Sequence, residues 1–338
     1  MTKRQYSGVM PSPLRNFNKP NFGLGARQID RGLINASLER VGDLKDNTHK
    51  ARISACRDFA QYLKDETDVK RLIDIEKAHV VNYGEHLRAR FESDVKFTAS
   101  TARDYISHIN VCMAQARGDD KLNVTASKEL DYPPKSGIAT VDRSTTLEQH
   151  QAILHHASEP VALAAQLERT LGLRTREACL LDSHKALVEY KKTGVITVGR
   201  GTKGGQPRMI PIENDEQITA LERGEKLQET TGHNNLVPVD QSFKAFQSHI
   251  YKETKAIDPI YNCHGERKFF ACQFYQTQMG VEAPVRVGIE HGRAHHEYIA
   301  KTLCISLSEA KARDKAVRLQ LSKIMGHHRP GITNAYLG

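Results

Sequence analysis

No stretch of this 338-residue chain is both apolar enough and long enough to span a bilayer, so no membrane role is expected. The opening "MTKRQYSGVMPSPLR" has basic side chains but no apolar core before a cleavage site, so no secretory signal is expected either. Cysteine is sparse. Cys56, Cys112, Cys179, Cys263, Cys272 and Cys304 are scattered without CxxC spacing and read as reduced thiols of a cytoplasmic protein. Internal repeats and long low-complexity tracts are missing too, which excludes a solenoid. Acidic side chains are absent from residues 1–20, where Lys3, Arg4, Arg15 and Lys19 stand unopposed.

What the chain has is length and positive charge. At 338 residues two domains are expected, and an apolar share of 39% suffices for ordinary globular cores. Lys and Arg outnumber Asp and Glu by 49 to 40, a net charge of +9 that suits a polyanionic partner. Residues 311–338 carry six basic side chains and one acidic.

Composition and periodicity divide the sequence. Residues 1–24, rich in Pro, Asn and Gly, read as a flexible basic arm without regular structure of its own. Residues 25–130 read as an all-helical domain. In "THKARISACRDFAQYLKDE" the residues Ile53, Cys56, Phe59, Ala60 and Leu63 share one stripe, with Thr48 as the expected N-cap. A further helix in "TASTARDYISHINVCMAQARG" has Tyr105, Ile106, Ile109 and Met113 on one side and stops at Gly118. Two prolines and a glycine mark a linker at 131–143. Residues 144–338 form the second domain, opening on a helix with an expected Thr145/Glu148 capping box. Within it "GVITVGRGTKGGQPRMIPI" reads as a β-hairpin around a Gly/Lys loop, among helices. The fold class is therefore mainly α with a small β-sheet.

Four stretches of the second domain carry chemistry. "LGLRTREACLL" places Glu177 three residues after Arg174, and "TKGGQPRMIP" has Lys203 eight residues before Pro211. "HGERKFFA" spaces His264 and Arg267 as H-x-x-R, and "MGHHRPGITNAY" sets Tyr336 nine residues after His327, across a Pro330-Gly331 turn. In this order and spacing they resemble the boxes of the tyrosine recombinases, the family of phage integrases and Xer-type resolvers. The resemblance covers 144–338 best and extends more loosely to the helical half, which looks like the family's core-binding domain. It implies an α+β catalytic domain and, with the core-binding domain, a C-shaped DNA clamp.

The chemistry asks for these residue types on its own account. Breaking a phosphodiester requires a nucleophile, a proton donor for the leaving 5′ oxygen, and cationic donors on the non-bridging oxygens. Tyr336 is the nucleophile, storing the bond as a phosphotyrosyl ester without ATP or any cofactor. Arg174 and Arg267 present planar forks to the phosphate, and loss of one such donor typically costs about 10²–10³ in rate. Lys203, at a hairpin tip, is placed as general acid. His264 and His327 donate to the phosphate or manage the tyrosine proton. Glu177, one helical turn from Arg174, orients an arginine instead of touching substrate.

The sequence also departs from the family pattern. Glu266 stands beside Arg267 where an apolar residue is usual, and Lys268 where a histidine is frequent. Tyr336 follows His264 by 72 positions, and the surplus lies in an insertion at about 281–315 containing His291, His295, His296 and Cys304. His291 and His295 have the i, i+4 spacing of helical zinc ligands, but no second pair completes a tetrahedral set, so no metal is expected. Ser306/Glu309 reads as a capping box, and Lys311, Arg313, Lys315 and Arg318 beyond it could follow a DNA backbone. Only Leu337 and Gly338 follow Tyr336, so the contact to a neighbouring protomer is expected from the insertion, through Tyr298, Ile299, Leu303 and Ile305.

The resemblance implies a bacterial, nucleoid-associated enzyme that integrates or excises a mobile element. Its partners would be double-stranded DNA recombination sites and three further copies of itself in a synaptic homo-tetramer, with room for an accessory DNA-bending protein. The rival readings are a type IB topoisomerase, a DNA-binding regulator of the same fold without the chemistry, and a zinc-dependent hydrolase centred on residues 291–304.

Overall fold

Apolar residues at helical spacing build most of the molecule. The computed structural model describes residues 15–338, in two units that divide between Ser136 and Gly137. The first unit has four main helices, α1 (Ile29–Val41), α2 (Asn47–Glu66), α3 (Lys77–Ser93) and α4 (Ala99–Arg117), and a short α5 (Ala126–Glu129). α1 packs on α2 and α4, and α3 on α4. Leu33, Cys56, Phe59, Leu63, Tyr83, Leu87, Ile106 and Ile109 meet in its core. Each such side chain stabilises the fold by roughly 1.5–3 kcal/mol through burial.

Helix ends differ in detail from the sequence expectation. α2 is capped by Asp46, not Thr48: the Asp46 carboxylate accepts from the backbone N–H of Thr48 and of His49, at 2.6 and 3.0 Å. A carboxylate at a helix N-terminus satisfies two free donors and faces the positive end of the helix dipole. α4 starts at Thr98, which caps it, and ends at Gly118 as expected. Of the arm expected over 1–24, residues 1–14 lie outside the described residues. Residues 15–24 are not free. Pro20–Gly23 form a 3₁₀ turn, and buried Asn21 donates to the carbonyls of Ala26 and Arg27 and accepts from the Leu72 N–H. One amide side chain thereby ties the segment to the unit's core.

The second unit starts inside the expected linker: the Ala139 N–H donates to the Asn334 carbonyl at 2.8 Å. Its first helices are α6 (Leu147–His156), α7 (Glu159–Leu171), α8 (Thr175–Leu180) and α9 (Ser183–Thr193). Thr146 and Gln149 form the capping box of α6, one residue later than expected. Thr145 is taken up elsewhere, its hydroxyl donating to the Asn262 carbonyl. β1 (Val195–Val198) and β2 (Arg208–Pro211) pair antiparallel with Val195 opposite Pro211 and Val198 opposite Arg208. This is the predicted hairpin.

After the hairpin come α10 (Asp215–Thr231), α11 (Phe243–Ile257), α12 (Cys263–Met279), α13 (Pro284–Val287), α14 (Arg293–Leu303), α15 (Leu307–Ile324) and α16 (Asn334–Leu337). α12 runs through the unit, packed on α7, α15 and α16. Ser306 caps α15 and accepts from the Glu309 N–H. The six cysteines carry no disulfide. Among the described residues no helix is long and apolar enough to cross a membrane.

Candidate active site

α12 delivers two of the expected residues. Asn262 caps it, accepting from the His264 N–H at 3.0 Å, and i, i+3 spacing puts His264 and Arg267 on one face. Gly265 between them is required by packing. A Cβ there would lie 2.4 Å from the Thr145 hydroxyl and 3.1 Å from the Arg143 carbonyl, so only glycine lets the helix start dock. Glu266 points away from Arg267. It is fully buried and accepts from Arg169, His150 and the Tyr261 hydroxyl at 2.8, 2.9 and 3.0 Å, so it does not compete with a phosphate for Arg267.

Arg267 is fully buried, and its guanidinium is the hub of the site. One terminal nitrogen donates to the Gly172 carbonyl. The other donates to the Met325 carbonyl at 2.7 Å and lies 3.3 Å from Nε2 of His327, while Nε faces the Tyr336 hydroxyl at 3.5 Å. Two loops and the tyrosine helix thus converge on one cation.

Arg174 enters from the N-cap of α8. Its guanidinium donates to Glu177 at 2.7 Å, and the other Glu177 oxygen accepts from the Arg174 backbone N–H, also at 2.7 Å. Sequence reasoning missed the second arginine on Glu177. Buried Arg208, at the start of β2, donates both terminal nitrogens to the Glu177 oxygens at 2.7 Å and its Nε to the Ile324 carbonyl. Burial alone would raise the Glu177 pKa, but Arg208 and Arg174 hold it below the usual carboxylate range. Alternation along β2 was the available signal. Arg208 and Ile210 face inward and Met209 outward, and a charge on the inward face of a strand needs a partner.

His327 follows Gly326, whose φ of +73° turns the chain out of α15, and its N–H donates to the Ser322 carbonyl at 2.8 Å. A 3₁₀ turn at Pro330–Thr333 then reverses the chain into α16. The Tyr336 hydroxyl reaches 3.4 Å from Nε2 of His327, and the His264 ring lies 5.6 Å from the Tyr336 ring, centroid to centroid. Burial and the charges of Arg267, Arg174, Arg208 and Lys203 push the His327 pKa down to about 4. His264 is also pushed down to about 4, by protein packed on its inner side and by Arg267, Lys268 and Arg174, although its outer edge meets solvent. Lys203 sits exposed in the turn between β1 and β2, its charge acting on His327.

Residues 136–272 match the family model described as integrase. The structure is similar in fold to the Tn1549 transposon integrase solved in complex with transposon right end DNA. That match has a TM-score of 0.56 at 14% identity and covers 92% of this chain and 95% of that one. A second Tn1549 integrase structure, with circular intermediate DNA, matches at TM-score 0.55 and 16% identity over 93% and 96%. A lambda integrase tetramer bound to a Holliday junction matches at TM-score 0.51 and 16% identity, over 73% and 72%. No curated protein matches the sequence.

Elsewhere in the second unit the structure redistributes several expected residues. Lys311, Arg313 and Lys315 are exposed on α15. Arg318 is not a surface cation: it is 3% exposed and hydrogen-bonded to Asp314, Asn334 and the Gly338 backbone oxygen. The cause is helical phase, since Asp314 and Arg318 are one turn apart beside the buried stripe of Ala310, Val317 and Leu321. The 281–315 segment also turns its apolar side inward. Ile299 is fully buried, and the partly buried Tyr298, Leu303 and Ile305 pack on the unit's own core. His291 precedes α14, so it shares no helix with His295. Among the described residues no three His, Cys, Asp or Glu side chains are grouped to hold a metal ion.

Proposed function

We propose that this chain is a site-specific DNA recombinase that cuts and rejoins strands through a 3′-phosphotyrosyl intermediate. The observation that carries the reading is the convergence of the Tyr336 hydroxyl, Arg267 and His327 within 3.3–3.5 Å of one another. A scissile phosphate bound there would take the donors of Arg267 and Arg174, polarising phosphorus and stabilising the pentavalent transition state. The Tyr336 oxygen attacks phosphorus, its proton passing to His327, which is neutral in the free protein. The bond to the 5′ oxygen breaks, and Lys203 supplies the proton that makes it a 5′ hydroxyl. Attack by a 5′ hydroxyl of another strand reverses these steps and rejoins DNA, so bond energy is conserved.

His264 would donate to a non-bridging oxygen. Glu177 and Arg208 would act behind Arg174, fixing its fork. In this reading the protein works on double-stranded recombination sites as a homo-tetramer, moves a mobile element, and resides with the bacterial nucleoid. Exposed Lys311, Arg313 and Lys315 would contribute phosphate contacts.

A plasmid carrying two copies of the element's end sequence tests the reading. Strand exchange between the copies is expected, with no relaxation of a supercoiled plasmid lacking them. Relaxation without sites would mean a topoisomerase. Retained binding without either product would mean a regulator that lacks the chemistry.

A further inference from the structure

Tyr336 rides on a helix of four residues, too short to hold itself by its own hydrogen bonds. Its position must come from outside. Two residues flank the tyrosine at equal distance, Asn334 before it and Gly338 after it, and both are held by the same pair of side chains. Arg318 donates to the Asn334 side-chain oxygen at 3.0 Å and to the Gly338 backbone oxygen at 3.1 Å. Nδ2 of Asn334 lies 3.3 Å from Nε2 of His291, and Nδ1 of His291 lies 3.0 Å from the same Gly338 oxygen. Arg318, Asn334, His291 and Gly338 therefore close a ring of four hydrogen bonds. The neutral imidazole with its proton on Nδ1 satisfies both of the His291 contacts.

The ring is itself braced. Asp314 accepts from Nε of Arg318 through both oxygens at 3.0 Å and from the Tyr275 hydroxyl at 2.5 Å, and His296 approaches it at 3.4 Å. Arg318 and Asp314 belong to α15, Arg318 lying beyond the 281–315 segment that makes this chain long between H-x-x-R and the tyrosine, whereas His291 lies within that segment, ahead of α14.

We propose that Arg318 and His291 are positioning residues for the nucleophile, a clamp within one protomer that sets the Tyr336 hydroxyl against Arg267 and His327. The extra segment then serves the protomer's own active site. This rests on the reading of Tyr336 as nucleophile. Neither clamp residue touches the phosphate site. Their loss should therefore lower the rate of bond formation and leave DNA affinity alone, since a misplacement of about 1 Å can cost ~10² in rate.

The test uses the full chain under single turnover on a nicked duplex site at saturating protein, with His291→Phe, Asn334→Ala, Arg318→Met and Arg318→Lys. The expected result is covalent adduct formation slowed about 10²-fold in Arg318→Met and His291→Phe. Dissociation constants should stay within about threefold of the parent's, and amide exchange should rise only around residues 334–338. Arg318→Lys should recover part of the rate. If Arg318→Met fails to fold because Asp314 is left unpaired, His291→Phe and Asn334→Ala carry the same expectation. Parental adduct rates in those two variants would overturn the clamp, as would a loss matched by equal loss of binding or by global unfolding. A parental adduct mapped to a residue other than Tyr336 would overturn the nucleophile reading as well, whereas unaffected variants with the adduct on Tyr336 would overturn the clamp alone.

Discussion

The Tyr336 hydroxyl and Nε2 of His327 lie 3.4 Å apart although nine residues and a tight turn separate them in the chain. The contact joins the proposed nucleophile to a histidine whose pKa is held near 4 by burial and four cationic neighbours, so the imidazole is neutral and able to take a proton at physiological pH. A bound phosphate would cancel part of that positive field and raise the histidine's basicity at the moment the phenol must be deprotonated.

In the unfolded chain a histidine titrates near about 6.5. The folded value of about 4 at His327 is lower, and the same holds for fully buried His295. Between these values the unfolded chain takes up protons that the folded one declines. The stability is therefore fully present above about pH 6.5 and falls as pH drops toward 4. Urea midpoints for the second unit should decrease from pH 7.5 to 5, and His295→Gln should flatten the slope. A midpoint independent of pH across that window would contradict the assignment.

Lys203→Ala should slow cleavage of ordinary DNA by roughly 10²–10⁴, the usual worth of a positioned acid. A substrate with sulfur in place of the bridging 5′ oxygen leaves without needing that proton, and on it the variant should match the parent. Equal slowness on both substrates would give Lys203 another task.

Arg208 and Glu177 form a buried, two-pronged ion pair behind Arg174. Removing one partner strands the other charge, so Arg208→Met should destabilise the second unit by about 3–5 kcal/mol, and Glu177→Gln should be costly for the same reason. The double variant should cost less than the sum of the two. Additive losses in a denaturant series would show that the pair is not coupled.

The helical frame was legible in the sequence because stripes such as Cys56, Phe59 and Leu63 repeat at helical spacing, and the hairpin because two β-rich runs flank a Gly/Lys loop. The candidate site residues stood out in the sequence through the order and spacing of four short boxes and their resemblance to a known family, and the structure brings Arg267, His327 and Tyr336 among them together. What escaped was tertiary. Nothing local says that Asp46 outcompetes Thr48 for the end of α2, or that Thr145 is spent on the Asn262 carbonyl. The burial of Arg318 depends also on Asn334 and Gly338, 16 and 20 residues on, and the inward face of 298–305 depends on a core drawn from the whole unit.

Exposed Lys311, Arg313 and Lys315 and buried Arg318 should separate cleanly in binding experiments. Neutralising the three lysine and arginine positions together should weaken DNA binding and reduce the salt slope by about 3, roughly one per phosphate contact. An unchanged slope would move the DNA contact off this helix.

Trapping on a nicked duplex site tests the central claim most directly. The parent chain should form an SDS-resistant covalent adduct that peptide mapping places on Tyr336, while Tyr336→Phe should bind the same DNA about equally and form none. An adduct that persists in Tyr336→Phe, attached to Tyr275, Tyr298 or any other residue, would contradict the account.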